Sequence, residues 1–221
     1  MKRGLPFGAR VVVSMATATL FVSCAAVDLA AQRAGAASAQ ARAEGGRGEP
    51  AAGAAGQREA EDRQQRVARA EKAIAELQAT LIKRLMTEMT NGGPPAAVAV
   101  CRDEAQRLTA EIGAKHQLAI GRTSDRVRNP KNAPRAWAAM HVASSAGAKV
   151  AAAAPATFDL EGGGVGVLRP IGTMEMCVTC HGPREAVQKT IGPVLTSSYP
   201  EDRAVGFAPG DLRGWFWVEV P

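Results

Sequence analysis

Cys177-Val178-Thr179-Cys180-His181 is the most chemically pointed stretch of the chain. Two cysteines three positions apart present both sulfurs from one helical turn, a spacing that suits one edge of a porphyrin, where thiols form thioethers with the vinyl groups. The histidine follows at once, so its imidazole meets the iron from the same side. Gly182 and Pro183 then turn the chain away. The spacing therefore predicts one covalent heme c, with Cys177 and Cys180 as its attachments and His181 as an axial iron ligand. A zinc site needs about four ligands, and no second cysteine pair completes one. A thioredoxin-like redox pair belongs after an early strand of a βαβ unit, whereas this pair lies late in the chain. The tight spacing disfavours a structural disulfide.

The second axial position must be filled from upstream, because neither Met nor His follows His181. The candidates are Cys101, His116, His141, Met86, Met89, Met140, Met174 and Met176. Of the four cysteines, two belong to the heme motif and Cys24 to a lipid signal, which leaves Cys101. A thiolate ligand would lower the iron potential relative to methionine; a small buried hydrophobe is the other role open to Cys101. His116 and His141 read as surface or core histidines. Met174 and Met176 stand too close to the motif to reach the far face of a heme and are expected to pack against the macrocycle.

Around this centre the chain divides into three parts. Residues 1–23 read as a signal peptide: Lys2, Arg3 and Arg10 precede an apolar run from Val11 to Val22, about 12 residues and too short to span a bilayer. Phe21-Val22-Ser23-Cys24 resembles a lipoprotein signal, with Cys24 acylated, although Phe21 stands where leucine is usual; cleavage after Ala25 is the alternative. Residues 24–63 are rich in Ala, Gly, Gln, Arg and Glu and are expected to form a flexible tether. The expected location is periplasmic, with a membrane anchor through Cys24. Loss of the signal takes the formal charge from +6 to +3, a mild excess that does not call for nucleic acid.

Residues 64–221 are expected to form one domain. Val67, Ala70, Ile74, Leu77, Leu81, Leu85 and Met89 make a helical apolar stripe from near Arg63, which Asn91-Gly92-Gly93-Pro94-Pro95 stops. The stripe reads as core; a homodimer through this helix is the partner arrangement it leaves open. A second helix is expected over Ala96–Ile112, with Cys101 on its inner face and Gly113 as C-cap. Strands are expected at 117–121, 165–171 and 215–220, and a helix at 134–146 carrying Trp137 and His141. Arg122 to Pro134 reads as a polar loop. This order suggests an α+β domain.

With these residues in view, the chain resembles the single c-type heme, PAS-like sensor family, the Tll-like heme-binding domain. The resemblance covers about residues 65–221. It rests on Ala97-Val98-Ala99-Val100-Cys101, Gly121-Arg122-Thr123-Ser124, Arg128-Asn129-Pro130-Lys131-Asn132-Ala133-Pro134, Cys177 to Gly182, Tyr199-Pro200-Glu201-Asp202-Arg203-Ala204 and Gly210-Asp211-Leu212-Arg213-Gly214. Ala138 stands where the family often has an acidic residue after the tryptophan. The resemblance implies a PAS-like fold with a long N-terminal helix and a short antiparallel sheet, and Cys101 as the second axial ligand. It also suggests that Arg122 and Arg128 contact the heme propionates, for which guanidinium forks are suited. The function expected is sensing of redox state or a diatomic gas, through a redox or signalling partner that the sequence does not name. A periplasmic electron-transfer cytochrome c is the alternative. No acid–base constellation suggests an enzyme.

Overall fold

The computed structural model describes residues 50–221. The expected signal peptide, Cys24 and the tether as far as residue 49 lie outside the described residues. The described chain is α+β, with a long N-terminal helix and a four-stranded antiparallel sheet.

Helix α1, Pro50–Ala99, carries the expected stripe, with Ala70, Ala73, Ile74 and Leu77 buried. It starts well before Arg63, so the last part of the expected tether is helical. Alanine, the strongest helix former, recurs through residues 51–60. The break foreseen at the Gly-Pro segment is a kink at Gly93 (φ 69°, ψ −167°), a conformation glycine adopts without Cβ strain.

Past the kink the chain continues through a π-helical turn, Val100–Glu104, into α2, Ala105–His116. Sequence periodicity predicts an uninterrupted α-helix here; the widened turn, closed by Ala105 N–H donating to the Val100 carbonyl, is the departure. Glu104 is gripped by Arg84 of α1, Nε and Nη2 each at 2.8 Å from a carboxylate oxygen. Gly113 does not cap α2. The helix ends at His116, with Gln117 left-handed (φ 55°, ψ 51°). A Cβ on Gly113 would stand 2.9 Å from the Leu118 carbonyl oxygen, so this glycine serves the close return of the chain.

The strands are β1 Ala119–Thr123, β2 Ala156–Asp159, β3 Val165–Gly172 and β4 Leu212–Val220, in the order β1-β4-β3-β2. β1 sits two residues later than its alternation suggests, and β2 was not foreseen. Arg63 and Arg66 tie α1 to the β2–β3 hairpin: Arg63 donates to Asp159 and Thr157, and Arg66 to the Gly163 carbonyl.

Each face of the sheet carries a core. The α1 stripe, with Ile112, packs on Ile120, Val165, Val167, Phe216, Val218 and Val220. On another cluster Ala138 and Val142, from the 3₁₀ turn Ala136–Ala138 and α3 Ala139–Ser144, meet Leu168, Leu212 and Trp215. These two short elements replace the single helix expected over 134–146. Pairing along β3 and β4 sets Ile171 opposite Gly214 and Gly172 opposite Leu212, which makes Arg213 an extra residue in β4, a bulge.

A third cluster lies beside the Cys-x-x-Cys-His segment. Val187, Ile191 and Leu195 of α5, Arg184–Ser198, pack with Val98, Tyr199 and Val205, and Cys180 lies against them. Helix α5 was not foreseen, although Val187, Ile191, Val194 and Leu195 have helical spacing.

Gly121 provides a test of the sheet's packing. A Cβ there would lie 2.5 Å from the Trp217 indole carbons, closer than side-chain atoms pack. Gly121→Ala is expected to destabilise the domain by about 1–3 kcal/mol, the usual cost of overpacking, read as a lowered thermal midpoint. A midpoint equal to that of the parent chain would contradict the packing described.

Candidate functional site

The Cys-x-x-Cys-His segment folds as a 3₁₀ turn, Glu175–Cys177, running into the single turn α4, Val178–His181. Cys177 and Cys180 are therefore on adjacent turns, both half-buried thiols. Gly182 closes the turn by donating to the Val178 carbonyl at 2.8 Å. A Cβ on Gly182 would be 2.5 Å from that oxygen, so the tight exit depends on glycine.

A second segment runs alongside. The Gly206 N–H donates to the Gly182 carbonyl at 2.7 Å and the Phe207 N–H to the His181 carbonyl at 2.9 Å. His181 Nδ1 lies 2.7 Å from the Ala204 carbonyl oxygen. A carbonyl only accepts, so Nδ1 carries the proton and Nε2 keeps its lone pair. That tautomer is the one that binds a metal through Nε2, with its second nitrogen held by an outer acceptor. Burial first, then the Arg213 and Arg128 cations, push the imidazole pKa well below its ordinary value, which keeps the ring neutral.

Arg128 binds this arrangement together. Its Nη2 donates to the Cys180 carbonyl at 2.6 Å and the Ala204 carbonyl at 3.3 Å, and lies 3.0 Å from Asp202. Asp202 in turn accepts from the Ala204 N–H at 2.8 Å. The sequence reading groups Arg128 with Arg122 as contacts to heme carboxylates. In the structure Arg128 engages protein acceptors through Nη2, Asp202 among them, while its buried Nε has no protein partner. Arg122 has no ion pair among the described residues.

Phe207, fully buried, stands edge-on to His181, with ring centroids 6.5 Å apart at 88°. Arg126 lies 3.7 Å and Arg213 4.9 Å from the Phe207 centroid. Arg126 also donates to the Val205 carbonyl at 2.9 Å. Four arginines thus gather near His181, with Asp125 and Asp202 as their acidic neighbours.

Cys101 belongs to the same region. It is an electrostatic neighbour of Arg122, Tyr199 and Cys180. Of the other ligand candidates, His116 Nε2 is 2.8 Å from Glu76. His141 is wedged between Trp215 (4.7 Å) and Phe158 (5.8 Å), its Nε2 buried without a partner. Met140 and Met86 are exposed, and Met174 and Met176 keep open surface just before Cys177.

His181, Cys180, Arg122 and Arg213 all retain solvent-accessible surface, yet desolvation is the leading influence on each of them. Buried Thr123 Oγ1, Arg128 Nε and Arg213 Nε have no protein partner. A heme fits this donor set: two thiols on adjacent turns, a neutral imidazole with Nε2 free, and unpaired cations for acidic substituents.

The model of the Tll0287-like family matches residues 54–221. The chain belongs to the Tll0287-like family. Among solved structures it is similar to the one described as the crystal structure of the cyanobacterial heme-protein Tll0287, with a TM-score of 0.55 and 26% sequence identity. That similarity covers 71% of this chain and 95% of the cyanobacterial one. No curated protein matches.

The groups around His181 and Cys101 that motif reading missed are the Ala204 carbonyl, Phe207, Tyr199 and Arg213. Tyr199 and Arg213 fall within the sequence blocks of the resemblance, but nothing in those blocks indicated a role.

Tyr199 offers a spectroscopic check, because it is the sole tyrosine of the chain. Burial, followed by the Cys101 charge, raises its pKa to about 12. The folded value exceeds the ordinary one of about 10. Tyr199 therefore stabilises the fold fully below about pH 10, and that contribution fades as pH climbs towards about 12. Tyrosinate absorbance of the native chain should titrate with a midpoint near the upper figure; a midpoint at the ordinary value would place Tyr199 in solvent.

Proposed function

We propose that this protein is an exported heme-binding protein carrying one covalent heme c in a PAS-like domain, and that it senses redox state or a diatomic gas. The observation that carries the heme reading is His181: its Nδ1 is held by Ala204, its Nε2 is free, and two thiols precede it on adjacent turns. The heme nature of its cyanobacterial structural relative supports the same reading.

Cys177 and Cys180 are the attachment residues. Each thiol would add across one vinyl double bond, sulfur to one carbon and hydrogen to the other, so reduced cysteines would suffice and no oxidant would be consumed. His181 and Cys101 would be the two protein ligands that hold the iron. Arg122 is a propionate contact. The heme supplies one-electron chemistry and an iron whose second axial ligand can be exchanged. The chain supplies the rest: Ala204 orients His181, Arg128 locks the attachment turn to the 199–207 segment, and the π-helical turn holds Cys101. Because Arg84 grips Glu104 in that turn, a change in how Cys101 is held is felt by α1. That coupling favours sensing over simple electron carriage, with a redox or signalling partner to read it out. We place the protein in the periplasm, anchored through Cys24, with a homodimer through α1 as its self-assembly; enzymatic activity is not part of this reading.

The test is an absorption spectrum and a heme stain after denaturing electrophoresis, on protein made in cells able to attach heme c. Wild type should be coloured and retain the stain. Cys177→Ala with Cys180→Ala should lose it completely. Cys101→Ala should keep the stain, alter the low-spin spectrum and raise the midpoint potential, since a thiolate lowers it. A colourless wild type removes the heme; an unaltered Cys101→Ala spectrum removes Cys101 from the iron. A ligand pair that stays fixed in both redox states, with no carbon monoxide binding, would favour the electron carrier.

A further inference from the structure

An arginine that leaves water needs an anion or a full set of acceptors, because an uncompensated buried charge is costly. Around His181 this requirement is met unevenly. Arg128 has Asp202 and two carbonyls, and Arg126 has the Val205 carbonyl and Asp125 at 3.8 Å. Arg122 and Arg213 have no carboxylate against them among the described residues. Arg213 has one polar contact to protein, Nη1 at 3.5 Å from the Arg126 carbonyl, and its buried Nε has no partner. Desolvation and the neighbouring arginines lower its pKa to about 10.

The backbone shows that this placement is built in. Arg213 is the bulge residue of β4, between Leu212 and Gly214, which both find partners on β3. Bulges re-aim a side chain and recur beside functional sites. Here the bulge lets Leu212 and Trp215 share one core cluster while Arg213 leans over the Phe207 ring that abuts His181. The Arg213 carbonyl is fixed by the Ser124 hydroxyl at 2.9 Å, within the loop that follows Arg122 on β1.

Neither guanidinium forms an ion pair among the described residues, Asp202 acting on Arg213 only from beyond ion-pair distance, and a heme would bring two carboxylates. We propose that Arg213, together with Arg122, binds the heme propionates, with the β4 bulge aiming the Arg213 fork at one of them. The assignment rests on the heme reading and extends it: Arg122 keeps its expected role, and Arg213, which sequence reasoning did not single out, joins it. Guanidinium forks suit carboxylates in number and geometry of donors.

The test measures midpoint potential against pH on heme-loaded wild type, Arg122→Gln, Arg213→Gln and Arg213→Lys. In wild type both propionates are paired and stay ionised, so the potential is flat from mildly acid to neutral pH. Arg213→Gln removes a cation near the iron, so its potential should fall at neutral pH. The released propionate should then titrate in the acid range, and the potential should climb as pH drops. Arg122→Gln should behave alike, and Arg213→Lys should restore the flat profile. An Arg213→Gln profile that overlays wild type overturns the assignment while leaving the heme reading intact; a wild type without heme removes both.

Should Arg213→Gln fail to fold, Arg213→Lys decides through resonance Raman spectroscopy. Replacing a fork by a single ammonium should shift the propionate bending band, and an unmoved band overturns the proposal.

Discussion

The carbonyl of Ala204 is the point on which the site turns. It accepts from His181 Nδ1 and from Arg128, and Arg128 also reaches the carbonyl of Cys180. One backbone oxygen thereby sets the tautomer of the imidazole and joins three stretches of chain that are distant in sequence. Asp202 fixes that oxygen in turn, by accepting the Ala204 N–H and by pairing with Arg128. Remove the orientation of this carbonyl and the histidine is free to turn, with its Nε2 no longer aimed in one direction.

The charges around His181 follow from the same geometry. Arg128 is placed where protein oxygens take its Nη2, and Arg126 stacks on Phe207 at the edge of the site. Arg122 and Arg213 remain in low-dielectric surroundings, where like charges raise each other's cost. A protein interior that concentrates positive charge in this way is arranged for a negative group, and it also holds the imidazole neutral.

The Cys-x-x-Cys-His segment, the α1 stripe, the glycine kink, β3 and most of β4 could be read from local pattern, because spacing and turn chemistry decide them. The α+β class followed from the order of those elements. What escaped was decided by tertiary contacts. The π-helical turn has no periodic signature, and the Arg84–Glu104 fork that accompanies it spans 20 positions. Helix α1 reaches back to Pro50 with help from hairpin contacts that no local window contains. Arg128 and Arg213 look equivalent as isolated arginines. Their roles separate only because Asp202 comes to lie beside one of them and a strand bulge redirects the other. Likewise, a backbone carbonyl such as that of Ala204 leaves no mark in residue types.

The strand order has a consequence for the timing of synthesis. β4 lies between β1 and β3, so no part of the sheet linking them can exist until residues 212–220 have left the ribosome. Cys177 and Cys180 emerge some thirty residues earlier, an interval fixed by chain order alone. During that interval β1 has no neighbour in the sheet, and the two thiols precede the strand that closes it. Closure of β4 then brings Arg213 into place last, so the group of arginines around His181 is complete only once that strand has paired.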